Sequence, residues 1–187
     1  MSSRAEAPPA DERLWLRRAV LVLVGPREVL EGLRDDSEPA ARARSEAVLA
    51  LVILSGIAGV LWTPVAGTVL NDVTLDWLDV AIWAFLGGGL YGFAAYLVGG
   101  LVLFAAMQGV RPITYRQARH LLAFASAPVA LSLLVWVPRL LLYGEAVFRS
   151  GGSDRGGGNT AFLVVELGFV VWALALAVLG ARVLARR

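Results

Sequence analysis

The sequence predicts an all-α integral membrane bundle: four transmembrane helices preceded by a helix lying at the membrane interface. Three observations predict it. Of 187 residues, 58% are hydrophobic and the mean hydropathy is +0.68, so polar side chains are too few to cover a water-soluble surface of this size. Four apolar stretches are long enough to cross a bilayer, which takes roughly 20 residues each. The basic residues fall almost wholly on one side of those stretches.

Residues 1–46 form a cytoplasmic N-terminal segment in this reading. The apolar run from Leu14 to Val24 is interrupted by Arg17 and Arg18 and followed by Gly25-Pro26-Arg27-Glu28, without a small-residue cleavage pattern. It therefore reads neither as a secretory signal nor as a span. Trp15 and its apolar neighbours beside two Arg suit a helix at the membrane surface, or one packed on the protein's own cytoplasmic side.

The transmembrane domain covers residues 47–187, with spans at about 47–68, 80–108, 120–143 and 160–184. Ser37 can cap the helix that leads into the first span, with Pro39 in its first turn. The second is long enough to tilt or to extend past the hydrocarbon. The helix of the third begins before its apolar part, because Thr114 and Gln117 have capping-box spacing. Pro64, Pro128 and Pro138 bend their helices, which a bundle tolerates when neighbours satisfy the freed carbonyls.

Charge orients the bundle. The 17 basic residues are all Arg. They cluster before the first span, between the second and third (Arg111, Arg116, Arg119) and after the fourth (Arg182, Arg186, Arg187). The connection "NDVTLDWLD" holds Asp72, Asp76 and Asp79 and no Arg. Positive charge resists translocation, so both termini are expected in the cytoplasm. Trp62, Trp77, Trp83, Trp136 and Tyr143 then fall near the outer ends of their spans, where a ring with a wet N–H prefers the headgroup boundary. Trp172, in mid-span, is expected to pack against another helix.

Small residues mark where helices approach. Ala84, Gly88 and Gly92 recur every four residues on the second span, and Ala173, Ala177 and Ala181 on the fourth. In lipid such stripes permit close packing, which drives association; they serve contacts within the chain or a face for a partner. Tyr115, Arg116, Gln117 and Arg119 form a polar first turn at the headgroups, where Arg can meet phosphates. His120 reads as an interfacial packing residue. Glu166 is the one acidic residue well inside a span, a functional hypothesis by default, and Arg139 is placed to pair with it.

Chemistry is sparse. There is no Cys, hence no thiolate nucleophile, thiolate metal site or disulfide. P-loop, HExxH and nucleophile-elbow patterns are missing, and "GGSDRGGGN" follows no strand and reads as a linker. The sequence offers no catalytic, cofactor or metal residues and no nucleic-acid module; anionic lipid is the simpler partner for the basic N-terminus. The candidate contacts for lipid or a partner are Trp15, Arg17, Arg18, Pro26, Arg27 and Glu28, with Tyr115 to Gln117 and Arg119.

"VLVGPREVLEGLRDD", the Gly-rich second span and "YRQARHLLAFASAP" resemble the Yip-domain family of polytopic membrane proteins, named for interaction with Ypt/Rab GTPases. The resemblance covers roughly Leu21 to Leu184. It implies an α-helical bundle with a cytoplasmic N-terminus that acts by binding rather than catalysis. The family commonly has five spans, and the Arg-only, Ala- and Gly-rich composition suggests a prokaryotic source. Its scaffold is therefore carried over and its GTPase partner is not. The expectation is a non-enzymatic protein of the prokaryotic cell membrane that binds, organises or stabilises other membrane proteins or a second copy of itself. Its alternatives are an accessory subunit of an energy-transducing complex and a small transporter or channel subunit using Glu166.

Overall fold

A computed structural model of the protein describes residues 14–62, 77–144 and 157–186. Among them every regular element is helical: α1 Leu14–Val24, α2 Pro26–Glu31 continuing into a 3-10 turn Gly32–Arg34, α3 Glu38–Trp62, α4 Trp77–Gln108, α5 Tyr115–Ala125, α6 Ala127–Leu131, α7 Leu133–Tyr143 and α8 Gly157–Ala185. Four lengths are apolar and long enough to cross a membrane: α3, the body of α4, α5 to α7 taken together, and α8. The chain is a multi-pass helical bundle. Pro64, Asp72, Asp76, the end of the expected first span and most of "GGSDRGGGN" lie outside the described residues.

Local sequence fixes where each helix starts. Pro26 occupies the first turn of α2, where its missing N–H costs nothing. Before α3, the Ser37 N–H donates to Asp35 Oδ1 (3.0 Å) and the Ser37 carbonyl accepts from Ala41 N–H (2.9 Å). At α5 both halves of a capping box form. Thr114 Oγ1 accepts from Gln117 N–H at 3.1 Å, and Gln117 Oε1 accepts from Thr114 N–H at 3.0 Å. Two orphan donors are thereby satisfied.

The second span is one continuous helix of 32 residues. The third is broken twice. Pro128 has no N–H to return to Phe124, so the helix steps at Ser126 (φ −78, ψ −1) and resumes at Ala127. A second step falls at Ser132, whose N–H is shared between the carbonyls of Pro128 (3.0 Å) and Val129 (3.1 Å). The hydroxyls of Ser126 and Ser132 donate to the carbonyls of Ala123 (2.8 Å) and Val129 (2.7 Å), a back-bond that bends helices. Pro138 sits inside α7 without ending it.

Burial is uneven across the spans. In its most apolar stretch 44% of the third span is buried and 33% of the first, against 17% of the second and 11% of the fourth. The core gathers at one end of the bundle, around Val22, Leu30, Leu33, Leu51, Leu121, Phe124 and Val183. The N-terminal segment is therefore part of the bundle: α1 and α2 fold back onto α3, α5, α6 and α8. Val20 and Val24 on α1 still face outward, the apolar edge an interfacial helix presents to lipid.

Helices α3 and α4 share the largest interface, and glycine makes it possible. Gly56 lies so close to α4 that a Cβ there would strike the Gly88 carbonyl and come within 2.7 Å of Gly92 Cα. A Cβ on Gly88 would lie 2.5 Å from Ile57 Cα, and one on Gly92 would strike the Val52 carbonyl. Backbone meets backbone there, as small-residue packing in lipid permits.

Candidate functional site: the basic face and an intramembrane ion pair

At the core end of the bundle the N-terminal segment, the 109–114 loop and the end of α8 meet in a lattice of arginine contacts. Arg116 Nε donates to Asp36 Oδ1 at 2.7 Å, its Nη1 reaches Glu38 Oε1 at 3.2 Å, and its Nη2 donates to the Asp36 carbonyl. Thr114 Oγ1 donates to Asp36 Oδ2 at 2.7 Å while capping α5. Gln117 Nε2 donates to the Leu33 carbonyl at 3.0 Å. Arg44, buried, donates to the carbonyls of Gly32 (2.6 Å) and Asp35 (2.9 Å).

Two further arginines converge on the end of α8. Arg34 donates to the carbonyls of Val183 (2.8 Å) and Arg186 (2.9 Å), and Arg111 to those of Leu184 (3.1 Å) and Arg186 (2.6 Å). The last carbonyls of a helix lack intrahelical partners and carry its negative dipole end, so cations from other segments suit them. These bonds tie three sequence-distant segments to one face.

Electrostatics follow. Partial burial pushes the Asp36 carboxyl up, but the hydrogen bonds from Arg116 and Thr114 outweigh it, and the group is held below the usual carboxylate range. Asp35 is also lowered, chiefly by the hydrogen bond from the Ser37 N–H. Both carboxylates are charged at neutral pH.

Arg119 is held differently. Its guanidinium lies 4.6 Å from the Tyr115 ring centroid and 5.2 Å from that of Tyr96, a cation between two π faces. Tyr115 donates from its hydroxyl to the Leu97 carbonyl at 2.9 Å and meets Phe104 edge-on. The first turn of α5 is thus directed largely inward: Arg116 and Gln117 to the N-terminal segment, Tyr115 and Arg119 to α4. Sequence alone places these side chains at the headgroups; the folded N-terminal segment supplies nearer carboxylate and carbonyl partners.

At the other end of the bundle Arg139 Nη1 lies 3.6 Å from Glu166 Oε1, with side-chain exposures of 11% and 5%. Arg139 also lies over the rings of Trp136 (4.9 Å) and Phe162 (5.8 Å). Tyr143 and Phe162 meet edge-on nearby. The structure brings Glu166 and Arg139 together in a closed aromatic setting, joining α7 to α8. Comparisons with protein-family models, with curated proteins and with solved structures return no match.

The remaining candidate residues are placed as follows. Pro26 is half-buried at the start of α2, with Arg27 and Glu28 exposed beside it. Trp15, Arg17 and Arg18 belong to α1, but their side chains lie outside the described residues. Gly88 and Gly92 meet α3, and Ala84 is half-buried on the same helix. Ala173, Ala177 and Ala181 are half-buried on α8. The tight contact of α8 is instead at Gly180, where a Cβ would strike Leu121 Cδ1 and come within 3.1 Å of Leu30 Cδ2. Trp172 stacks on Phe169 of its own helix at 6.4 Å and is 38% exposed.

Sequence reasoning passes over Gly56, Gly180 and Arg34, and uses Arg111 only as part of a charge cluster. Gly56 stands in no four-residue stripe, and Gly180 is offset by one from the Ala stripe. The acceptors of Arg34 and Arg111 are backbone carbonyls, which leave no mark in a sequence.

Proposed function

We propose that this chain is a non-enzymatic membrane protein that binds, organises or stabilises other membrane proteins, with both termini in the cytoplasm of a prokaryotic cell. The observation that carries the reading is the uneven burial of the spans. In their most apolar stretches the second and fourth have only 17% and 11% of residues buried, and they share no substantial interface with each other. The outer face of α4 carries Trp83, Leu86 and Leu90 at helical spacing, all exposed, and tryptophan is enriched where proteins bind proteins. The scaffold is that of the Yip-domain family on this reading, resting on the Gly25-Pro26-Arg27-Glu28 and Tyr115-Arg116-Gln117 segments, without its GTPase partner. The exposed Arg27 and Arg182 suit anionic headgroups.

The pairing of Glu166 with Arg139 supports a structural rather than a transporting carboxylate, because the contact joins α7 to α8 within a closed aromatic setting. Purification in mild detergent with mass spectrometry tests the proposal. It predicts an integral membrane protein, or a second copy, at fixed stoichiometry, weakened by Trp83→Ala combined with Leu90→Ala. A partner-free monomer that alone moves ions across liposomes contradicts it.

A further inference from the structure

Two cavities lie one above the other along the seam between the first three spans. The one nearer the basic face, about 280 Å³, is lined by Ser45, Val48, Leu49, Phe93, Tyr96 and His120. The deeper one, about 420 Å³, runs along Ser55, Gly59 and Trp62 of α3, Ala95 of α4 and Ser126 beyond α5. Val52 and Tyr96 line both, so the two adjoin and together follow α3 from Ser45 to Trp62, a track of about 25 Å at 1.5 Å per residue, open at its side. Alanine at 95 leaves space beside the tight Gly56–Gly92 contact, and the deeper part lies within the size range of small-molecule sites.

The polar end of the track is unsatisfied. His120 is 7% exposed, lines the shallower cavity, and its buried Nδ1 has no hydrogen-bond partner among the described residues. A buried polar atom without a partner costs free energy that a ligand can recover. Arg44 and Arg119 bring positive charge within electrostatic reach of His120, while the nearby Arg116 is paired with Asp36 and Glu38. Arg119 lies against the ring of Tyr96, the residue shared by both cavities. The deeper end is mostly apolar, with the Ser55 and Ser126 hydroxyls 3.2 Å apart, the Tyr91 side chain and the buried Trp62 indole N–H as its polar groups.

We propose that this track seats one anionic phospholipid, its phosphate-glycerol region at His120 and one acyl chain running past Val52 toward Trp62. A polar, positively biased mouth at headgroup depth and an apolar seam leading inward match the two ends of such a molecule. A zwitterionic lipid has the same chain but gains less at the mouth.

The test uses the full chain in detergent with phosphatidylglycerol or phosphatidylcholine of equal chain length, read by native mass spectrometry after graded lipid removal. The wild type is expected to keep about one phosphatidylglycerol, preferred about fivefold over phosphatidylcholine, the advantage one Arg gives at an anionic surface. Ala95→Phe fills the seam and is expected to abolish retention of both lipids, while Arg119→Gln keeps the chain bound and removes the preference. Size exclusion confirms folding of each variant. A photoreactive acyl chain on the wild type is expected to label Val52, Ser55 or Tyr96. Equal retention of the two lipids, unchanged retention in folded Ala95→Phe, or labelling spread over the outer faces of α4 and α8 would each overturn the proposal. Inorganic phosphate is expected not to displace the lipid, and displacement by it would overturn the lipid as occupant.

Discussion

Adding one methyl group to α4 distinguishes a helix seam from a lipid face, and Gly88 and Gly89 provide the pair of sites. A Cβ on Gly88 would lie 2.5 Å from Ile57 Cα and 2.7 Å from Ile57 N, whereas one on Gly89 would meet nothing within 4 Å. Carbon atoms rest about 3.5–4.0 Å apart, so Gly88→Ala must move α3 away by about 1 Å, against backbone that has no rotamer to change. Both substitutions gain the same helix propensity over glycine, about 1 kcal/mol. The gap between them therefore isolates overpacking, about 1–3 kcal/mol. For a chain of this size that is a difference of about 2–12 °C in melting temperature. Thermal unfolding in one detergent, followed by tryptophan fluorescence with both variants expressed alike, reads it. Equal melting temperatures for the two variants would refute the reasoning, since α3 and α4 could not then meet at backbone distance.

Three more outcomes follow from the polar contacts and the charge pattern. The folded Asp36 carboxyl is held below its unfolded value, so its contribution to stability is present above about pH 4 and is lost as pH falls through the folded value; Asp36→Asn should lower the melting temperature at neutral pH and converge on the wild type in acid, and a gap that persists in acid would contradict this. Glu166→Gln should keep assembly and partner binding, with no ion or proton flux from the wild type alone in liposomes; a wild-type flux that this change selectively removes would promote the transporter instead. Single cysteines at Asp72 or Ser153 should react with an impermeant thiol reagent from outside intact cells, and those at Ser3 or Thr114 only after permeabilisation. External labelling of Thr114 would overturn the orientation.

What the sequence revealed depended on whether the determining groups were side chains. The four apolar lengths, the Thr114–Gln117 capping box and the glycines of α4 rest on residue identities at fixed spacing, and each has a counterpart in the structure. The partner surface of those glycines was not legible, because Gly56 is a single glycine whose meaning comes from a helix distant in sequence. The inward turn of Arg116 was hidden for the same reason: Asp36 lies 80 residues away. Pro128 marked a bend, but the second step at Ser132 follows from serine back-bonding, which nothing in an apolar run announces.

The partner-binding proposal turns on what covers the outer face of α4 in the native membrane. Photo-crosslinking amino acids placed singly at Trp83 and Leu90, which are exposed, can be compared with one at Leu51, which is buried against the core. The proposal predicts a discrete protein adduct, to another membrane protein or a second copy, from Trp83 and Leu90 and not from Leu51. Adducts with lipid alone from both exposed positions would contradict it.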